Sequence, residues 1–173
     1  MASYIDRSLG DGEIVVARAH FPWLYGLAAW AALLVPGVVL LVFVGHAAQQ
    51  PEPFAGSDPV TWTVFAVGLL FLLGLYTFLK LMIRRATTEI GVTSHRFVEK
   101  NGLLTLHTNE IALHNIEGVR VHQSLGGRIF NYGTVRIEGT GVDAVTTPAI
   151  ADPVGFVKAI QTAREREVGH MPG

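Results

Sequence analysis

The stretch that decides the fold is Leu24–Val44, LYGLAAWAALLVPGVVLLVFV, which has 21 residues and no charge. Twelve of them are Leu, Val or Phe. A helix rises about 1.5 Å per residue, so this run reaches roughly 31 Å and matches the hydrocarbon core of a membrane. A second uncharged run of 20 residues follows at Val60–Leu79, VTWTVFAVGLLFLLGLYTFL. Core helices of soluble proteins seldom run this long without a polar face, and we predict that both runs cross a membrane.

The segments that flank the two runs predict their orientation. Residues 45–59 contain three prolines, which end the helices, and neither Lys nor Arg. The basic residues lie at the opposite end of each run: Arg7, Arg18, Lys80, Arg84 and Arg85. Because Lys and Arg are retained in the cytoplasm, both termini are expected there. We predict a cytoplasmic segment at 1–22 and a transmembrane hairpin at 23–80, with spans 24–44 and 60–79 and an outer loop at 45–59.

Two other interpretations of the first run stay open. Small residues at 45–48 follow it, as they would at the cleavage site of a signal peptide, although the run is longer than the apolar region of a typical signal. Alternatively, both runs form buried core helices of a soluble protein. The lack of a polar face on either run weighs against this second alternative.

The composition of the chain restricts the classes of function. Half of the residues are hydrophobic and 16% are charged, which excludes a disordered chain. No Cys is present, so disulfides, thiolate nucleophiles, Cys-ligated zinc and iron–sulfur clusters are excluded. A net charge of -1 gives no electrostatic basis for binding nucleic acid. We therefore expect contacts with membrane lipids and no nucleic-acid partner.

After Arg85 the pattern changes to short stretches of alternating polar and apolar residues, separated by Gly and Asn. Seven such stretches predict strands at 87–92, 97–100, 104–107, 110–113, 116–123, 134–138 and 144–148. Asn101-Gly102 predicts a tight turn, and Gly118 interrupts the alternation as a β-bulge does. Asp152-Pro153 is typical of a helix start and opens an amphipathic stretch. We predict an all-β barrel of about seven strands at 86–168, capped by a C-terminal α-helix, and a frayed tail at 169–173.

Five segments of this region carry a family resemblance: Thr88–Arg96, Asn101–Leu104, Glu110–Ile116, Gln123–Gly133 and the pair Asp152-Pro153. They resemble the bacterial pleckstrin-homology-like (PH-like) domain family of the second type, whose members carry two membrane spans before the domain. The most specific segment is QSLGGRIFNYG at 123–133, although Gly126 stands where the family more often has an apolar residue. The resemblance implies a PH-like barrel behind an anchor in a bacterial inner membrane. It leaves the function open, because a fold does not fix a function.

No set of residues in this sequence predicts catalysis. His95, His107, His114 and His122 are scattered over different strands and turns without the spacing of a metal site. The serines lack a nucleophile elbow, the glutamates are not paired, and there is no phosphate-binding loop. We predict a protein that is not an enzyme and that uses no cofactor and no metal.

Two groups of residues are candidate contact surfaces. The first is the connection that carries Leu125, Arg128, Ile129, Phe130 and Tyr132, whose apolar side chains either plug the barrel or meet a partner. Because a small barrel needs apolar area for its core, plugging is the expected outcome. The second group would contact anionic lipid head groups and comprises Lys80, Arg84, Arg85, Arg96 and Lys100.

These features favour a non-catalytic scaffold of the bacterial inner membrane, whose cytoplasmic barrel binds other membrane proteins or further copies of the chain. A sensor of anionic lipid head groups is the first alternative, because basic residues lie on the first predicted hairpin. An enzyme with a metal site built from histidines is the second. The three interpretations differ in where the basic, apolar and histidine side chains should lie.

Overall fold

The computed structural model describes residues 3–49, 59–102 and 105–169, and the chain divides into two compact units. One unit is Trp23–Ile83, and the other joins the residues up to Pro22 to those from Arg84 onwards. In chain order the elements are α1 (Tyr4–Ser8), β1 (Val15–Ala19), α2 (Trp23–Ala47), α3 (Pro59–Thr87), β2 (Glu89–Thr93), β3 (Arg96–Asn101), β4 (His107–Ala112), β5 (Ile116–His122), α4 (Leu125–Ile129), β6 (Tyr132–Gly139), β7 (Val142–Thr146), β8 (Ile150–Ala151) and α5 (Pro153–Gly169). A 3₁₀ turn at Leu113–Asn115 links β4 to β5.

The helical unit contains α2 and most of α3, and both helices are long and apolar enough to cross a membrane. Gly74 lets them approach closely, because a Cβ at this position would collide with the carbonyl oxygen of Ala32 and the ring of Pro36. The rings of Trp30 and Phe78 add a tilted contact, with 5.1 Å between their centroids. The two helices therefore form a packed pair within this unit.

Large apolar side chains on both helices are exposed. They include Leu41, Trp62, Phe65, Leu69 and Leu72. A core helix of a soluble protein would bury such residues, because apolar surface of this extent is unfavourable in water. The exposure contradicts the interpretation of α2 and α3 as buried core helices, and it is the pattern that a lipid environment requires.

The second unit is built from two antiparallel sheets. The first has the strand order β1-β2-β3-β4, and the second has the order β5-β6-β7, with β8 also paired to β6. The Gly118 bulge is confirmed, because the β5–β6 register shifts between Ile116 and Gly118. The chain therefore crosses from one sheet to the other once, through the 3₁₀ turn after β4.

One hydrophobic cluster joins both sheets to α5. Its fully buried members include Val92, Phe97, Leu113, Ile116, Val135, Ile137, Ile150 and Ile160. The rings of Phe97 on β3 and Phe156 on α5 meet edge to face, with 6.5 Å between centroids. The predicted start of α5 is confirmed, since the Asp152 carboxylate accepts a hydrogen bond of 3.2 Å from the Gly155 N–H. The helix thus covers the core at the apolar stripe that carries Phe156 and Ile160.

The structure differs from the predicted barrel in three respects. The strand pairing of the described residues forms two separate sheets that do not close, because the 3₁₀ turn carries the chain away from β4 before β5 begins. The two strands expected at 104–107 and 110–113 are one strand, β4, and Leu104 lies outside the described residues. The segment before the first apolar helix supplies α1 and β1, and β1 pairs with β2 as an edge of the first sheet.

Candidate functional site

Arg96 joins the N-terminal segment to the first sheet. Its Nε and Nη2 atoms donate to the two carboxylate oxygens of Glu13, each at 3.0 Å, and Nη1 donates to Glu110 at 2.8 Å. A further hydrogen bond runs from Nη2 to the carbonyl oxygen of Ser8. The Glu13 side chain is 7% exposed and also accepts a hydrogen bond from the Thr93 hydroxyl. We call Arg96, Glu13, Glu110 and Ser8 the arginine clasp; its forked geometry is one that Lys cannot reproduce.

The clasp changes the ionisation of its members. Burial by itself raises the pKa of the Glu13 carboxyl, but hydrogen bonds from the Gly10 N–H, the Thr93 hydroxyl and Arg96, together with the charge of Arg96, lower the pKa below its ordinary value. Burial likewise opposes the charge of Arg96, yet the two carboxylates raise the pKa of its guanidinium. Both groups are therefore charged at neutral pH, and the ion pair holds residues 8–13 against β3.

A second contact of the same kind lies at the start of the chain. Glu89 accepts hydrogen bonds from the Ser3 hydroxyl and the Ile5 N–H, and Lys100 lies 3.9 Å from its carboxylate and over the ring of Tyr4. Burial raises the pKa of Glu89, but these hydrogen bonds and the charge of Lys100 lower it overall. The N-terminal segment is thus attached to the domain at both Glu13 and Glu89.

The structure separates the predicted head-group residues into two sets. Arg96 and Lys100 are engaged by carboxylates inside the domain, as described above. Lys80, Arg84 and Arg85 lie in the last two turns of α3 with exposed side chains. Lys80 and Arg84 share one face of the helix, four residues apart. The five residues therefore do not converge on one site.

The residues of the predicted partner surface are brought together by α4. Leu125 is 81% exposed and Ile129 is 76% exposed, and Arg128 and Phe130 are exposed beside them. Tyr132 begins β6 and is half-buried. The expectation that these apolar side chains plug the barrel is wrong for Leu125 and Ile129, because Phe97, Ile150 and Phe156 already fill the core. We call Leu125, Arg128 and Ile129 the α4 face.

Local hydrogen bonds fix the position of α4. Ser124 caps the helix, its hydroxyl accepting a hydrogen bond of 3.1 Å from the Gly127 N–H. The Gln123 side-chain amide donates to the carbonyl oxygens of Gly127 and Tyr132, at 3.3 and 3.2 Å. Gly127 is required here, because a Cβ would lie 2.5 Å from the carbonyl oxygen of Tyr132. The Gln-Ser-Leu sequence motif therefore builds a rigid support for an exposed apolar face.

A polar cleft of about 710 Å³ separates the edges of β4 and β7. Its lining includes Glu99, Asn109, Asp143 and Thr146, and none of the described lining residues is Lys or Arg. Glu99 is only 3% exposed, and its two oxygens accept hydrogen bonds from the amides of Asn101 and Asn109, at 3.0 and 3.4 Å. Among the described residues no cation pairs with this carboxylate. No local pattern in the sequence predicts the cleft, because the cleft depends on two strands that are distant in the chain.

The described histidines do not gather into a metal-binding cluster. Within residues 3–49, 59–102 and 105–169, no three His, Asp or Glu side chains are placed to hold a metal ion. His114 Nδ1 lies 3.7 Å from a carboxylate oxygen of Glu167, and His95 Nδ1 lies 2.8 Å from the Ser94 hydroxyl. His95 and His114 line one pocket beside Glu13 and Arg96, and each of these two contacts involves a single imidazole.

Two antiparallel sheets covered by a C-terminal helix are consistent with a PH-like class of domain. The chain belongs to the bacterial PH domain family, whose model matches residues 14–161, and this confirms the resemblance found in the sequence. The match begins just before β1 and ends within α5, so it includes both apolar helices. PH domains are in general non-enzymatic. No curated protein and no solved structure matched the chain.

Proposed function

We propose that this chain is a non-catalytic scaffold of the bacterial inner membrane, which holds its PH domain on the cytoplasmic face and binds an extended segment of a partner protein. The observation that carries the proposal is the cleft between β4 and β7, which is lined by the buried carboxylate of Glu99 on β3, with no cation paired to it among the described residues. The anchor is provided by α2 and α3, which have the length and apolarity of membrane spans.

The pairing of β1 with β2 supports the proposed topology. β1 precedes α2 and β2 follows α3, and the two strands are hydrogen-bonded neighbours. If both helices cross the membrane, the N-terminal segment and the domain must lie on the same side. The same pairing argues against a cleaved signal peptide, because cleavage at residues 45–48 would remove an edge strand of the first sheet. Lys80, Arg84 and Arg85 favour the cytoplasm as that side.

Cysteine labelling tests the topology, since the chain contains no Cys. Ser57→Cys, in the predicted outer loop, should react with a membrane-impermeant maleimide in intact cells. Thr162→Cys, on the exposed face of α5, should react only after the membrane is opened. Labelling of Thr162→Cys in intact cells, with Ser57→Cys protected, would place the domain outside and refute a cytoplasmic scaffold.

The chemistry of the cleft specifies the kind of partner. β4 and β7 are edge strands of their sheets and therefore offer backbone N–H and C=O groups to an added strand. The lining residues Glu99, Glu110 and Asp143 are acidic, and Glu110 is already paired with Arg96. An extended segment that carries Lys or Arg would supply the cation that Glu99 lacks, and its backbone would pair with a strand edge.

Photocrosslinking in living cells tests this interaction. A photoreactive residue in place of Thr108, which lines the cleft, should give a crosslinked product with a distinct partner protein, and the same residue in place of Thr162 should not. Glu99→Gln should reduce that product several-fold, because it removes the charge and keeps the shape of the side chain. Glu165→Gln, an exposed carboxylate on α5, is the matched control. Equal yields from the Thr108 probe with and without Glu99→Gln would refute the proposed recognition.

A further inference from the structure

The α4 face is apolar, exposed and independent of the cleft. Leu125 and Ile129 are four residues apart and Arg128 is three residues from Leu125, so the three side chains share one side of the helix. Leu125 and Ile129 are each more than three quarters exposed, although the helix has only five residues. Their apolar surface is not part of the core of the domain. An exposed apolar patch of this kind is typical of surfaces that contact a membrane or another protein.

The charge of this segment indicates which occupant fits. Between His122 and Thr134 the only charged residue is Arg128, and the segment contains neither Asp nor Glu. An arginine beside two aliphatic side chains matches the interface of a bilayer, where acyl chains lie directly beneath anionic phosphates. Arg also forms paired hydrogen bonds with phosphate oxygens. The composition of the α4 face is therefore complementary to an anionic lipid surface.

The chain brings its own membrane close to the domain. Residues 20–22 alone connect β1 to α2, and Thr88 alone separates α3 from β2. Three extended residues bridge at most about 14 Å between the flanking Cα atoms. If both helices cross the membrane, as proposed above, two such short connections keep the domain near a lipid surface.

From these observations we propose that α4 is a second membrane contact: Leu125 and Ile129 insert into the interfacial layer of the bilayer that anchors the chain, and Arg128 binds lipid phosphate. The Ser124 cap and the Gln123 hydrogen bonds hold α4 in place before it meets the lipid, so little order has to be gained on contact. The contact restricts the orientation of the domain above the membrane and leaves the β4–β7 cleft as a separate protein-binding surface.

Depth-dependent fluorescence quenching of the full-length chain in lipid nanodiscs tests the proposal. The single variant Ile129→Cys, labelled with an environment-sensitive fluorophore, should be quenched about twofold or more by lipids that carry a nitroxide high on the acyl chain, because the label would lie in the interface. It should be protected from aqueous iodide relative to the same label at Thr162→Cys. The quenching should be stronger with phosphatidylglycerol than with phosphatidylcholine alone, and Arg128→Gln should weaken it.

Two results would overturn the proposal. Iodide quenching at residue 129 equal to that at residue 162, with no quenching by nitroxide lipid, would show that the α4 face stays in water. Protection from iodide without quenching by nitroxide lipid would show that a protein surface, such as a second copy of the chain, covers α4. Neither label lies in the core, so a failure of the domain to fold does not explain either outcome.

Discussion

Replacing Arg96 by Ala should release the N-terminal segment from the domain. The substitution removes the forked pair with Glu13, the bond to Glu110 and the bond to the Ser8 carbonyl, and it leaves the Glu13 carboxylate largely buried without its cation. A hydrogen bond to a charged group contributes about 1.5–3 kcal/mol, and breaking a buried ion pair costs about 3–5 kcal/mol. Arg96 and Glu110 are partly exposed, so we expect a loss of about 3 kcal/mol for the attachment of this segment.

Hydrogen exchange measures this loss directly. A change of about 3 kcal/mol corresponds to roughly a hundredfold faster exchange for amides that exchange through local opening. Mass spectrometry of the full-length protein in detergent should show this acceleration in peptides from residues 4–19. Peptides from β6 should change little, because β6 belongs to the other sheet. Arg96→Lys should give an intermediate effect, because it keeps the charge and loses the fork.

The matched control is Arg120→Ala. Arg120 also pairs with a carboxylate, that of Glu138 at 3.3 Å, but its side chain is 74% exposed. Surface pairs of this kind contribute little, and exchange over residues 4–19 should not change. If Arg96→Ala accelerates exchange in that segment by less than about threefold, the β1–β2 pairing and the burial of Ile5 hold it without the clasp, and our reasoning from charge and burial is refuted.

Three further outcomes follow from the geometry. Glu13 and Glu89 have lowered pKa values, so their contribution to stability is complete above the ordinary carboxyl value of 4.5 and is lost as the pH falls through the lowered values. Thermal unfolding measured from about pH 5 to about pH 3 should therefore show a steeper loss of stability for the natural chain than for Glu13→Gln. Gly127→Ala should destabilise the domain by about 1–3 kcal/mol in thermal unfolding, since its Cβ would lie 2.5 Å from the Tyr132 carbonyl oxygen. The control Gly126→Ala should have a much smaller effect, because its Cβ would lie 3.4 Å from the Tyr132 hydroxyl. Equal losses of stability in the two variants would show that α4 is not fixed as described. Gly74→Ala should lower the stability of the helical pair in detergent, because the added Cβ would collide with α2. Gly68→Ala should leave that stability unchanged, because a Cβ there has open space. A Gly74→Ala protein as stable as the natural chain would contradict the close approach of α2 and α3.

The features that could be predicted from the sequence are those with local causes. The length of an uncharged run identifies α2 and α3 as candidate spans, and the Asp152-Pro153 pair marks the start of α5 through hydrogen bonding within a single turn. The bulge at Gly118 is also local, because one glycine breaks an alternation that is otherwise regular. Each of these signals is contained in one continuous stretch of sequence, and the structure confirms the two long helices, the start of α5 and the bulge.

The remaining features depend on residues that are distant in the chain. β1 has the sequence VVARA, which is too short to show a periodic pattern, and its partner β2 lies beyond both apolar helices. The exposure of Leu125 and Ile129 follows from the way other residues fill the core, which no local pattern encodes. The cleft beside Glu99 has the same origin, because it forms between strands of two different sheets.

The position of the two helices between β1 and β2 has a consequence for the order of folding. β1 leaves the ribosome first but cannot pair until β2 has been synthesised, so the first sheet is completed only after the residues of both helices have been made. A flexible loop of this length would make that pairing entropically unfavourable. The packing of α2 against α3 shortens the effective loop, and the helical pair takes the place of the turn in a β1–β2 hairpin. Any fragment that starts after α3 lacks this strand and leaves β2 as an unprotected edge.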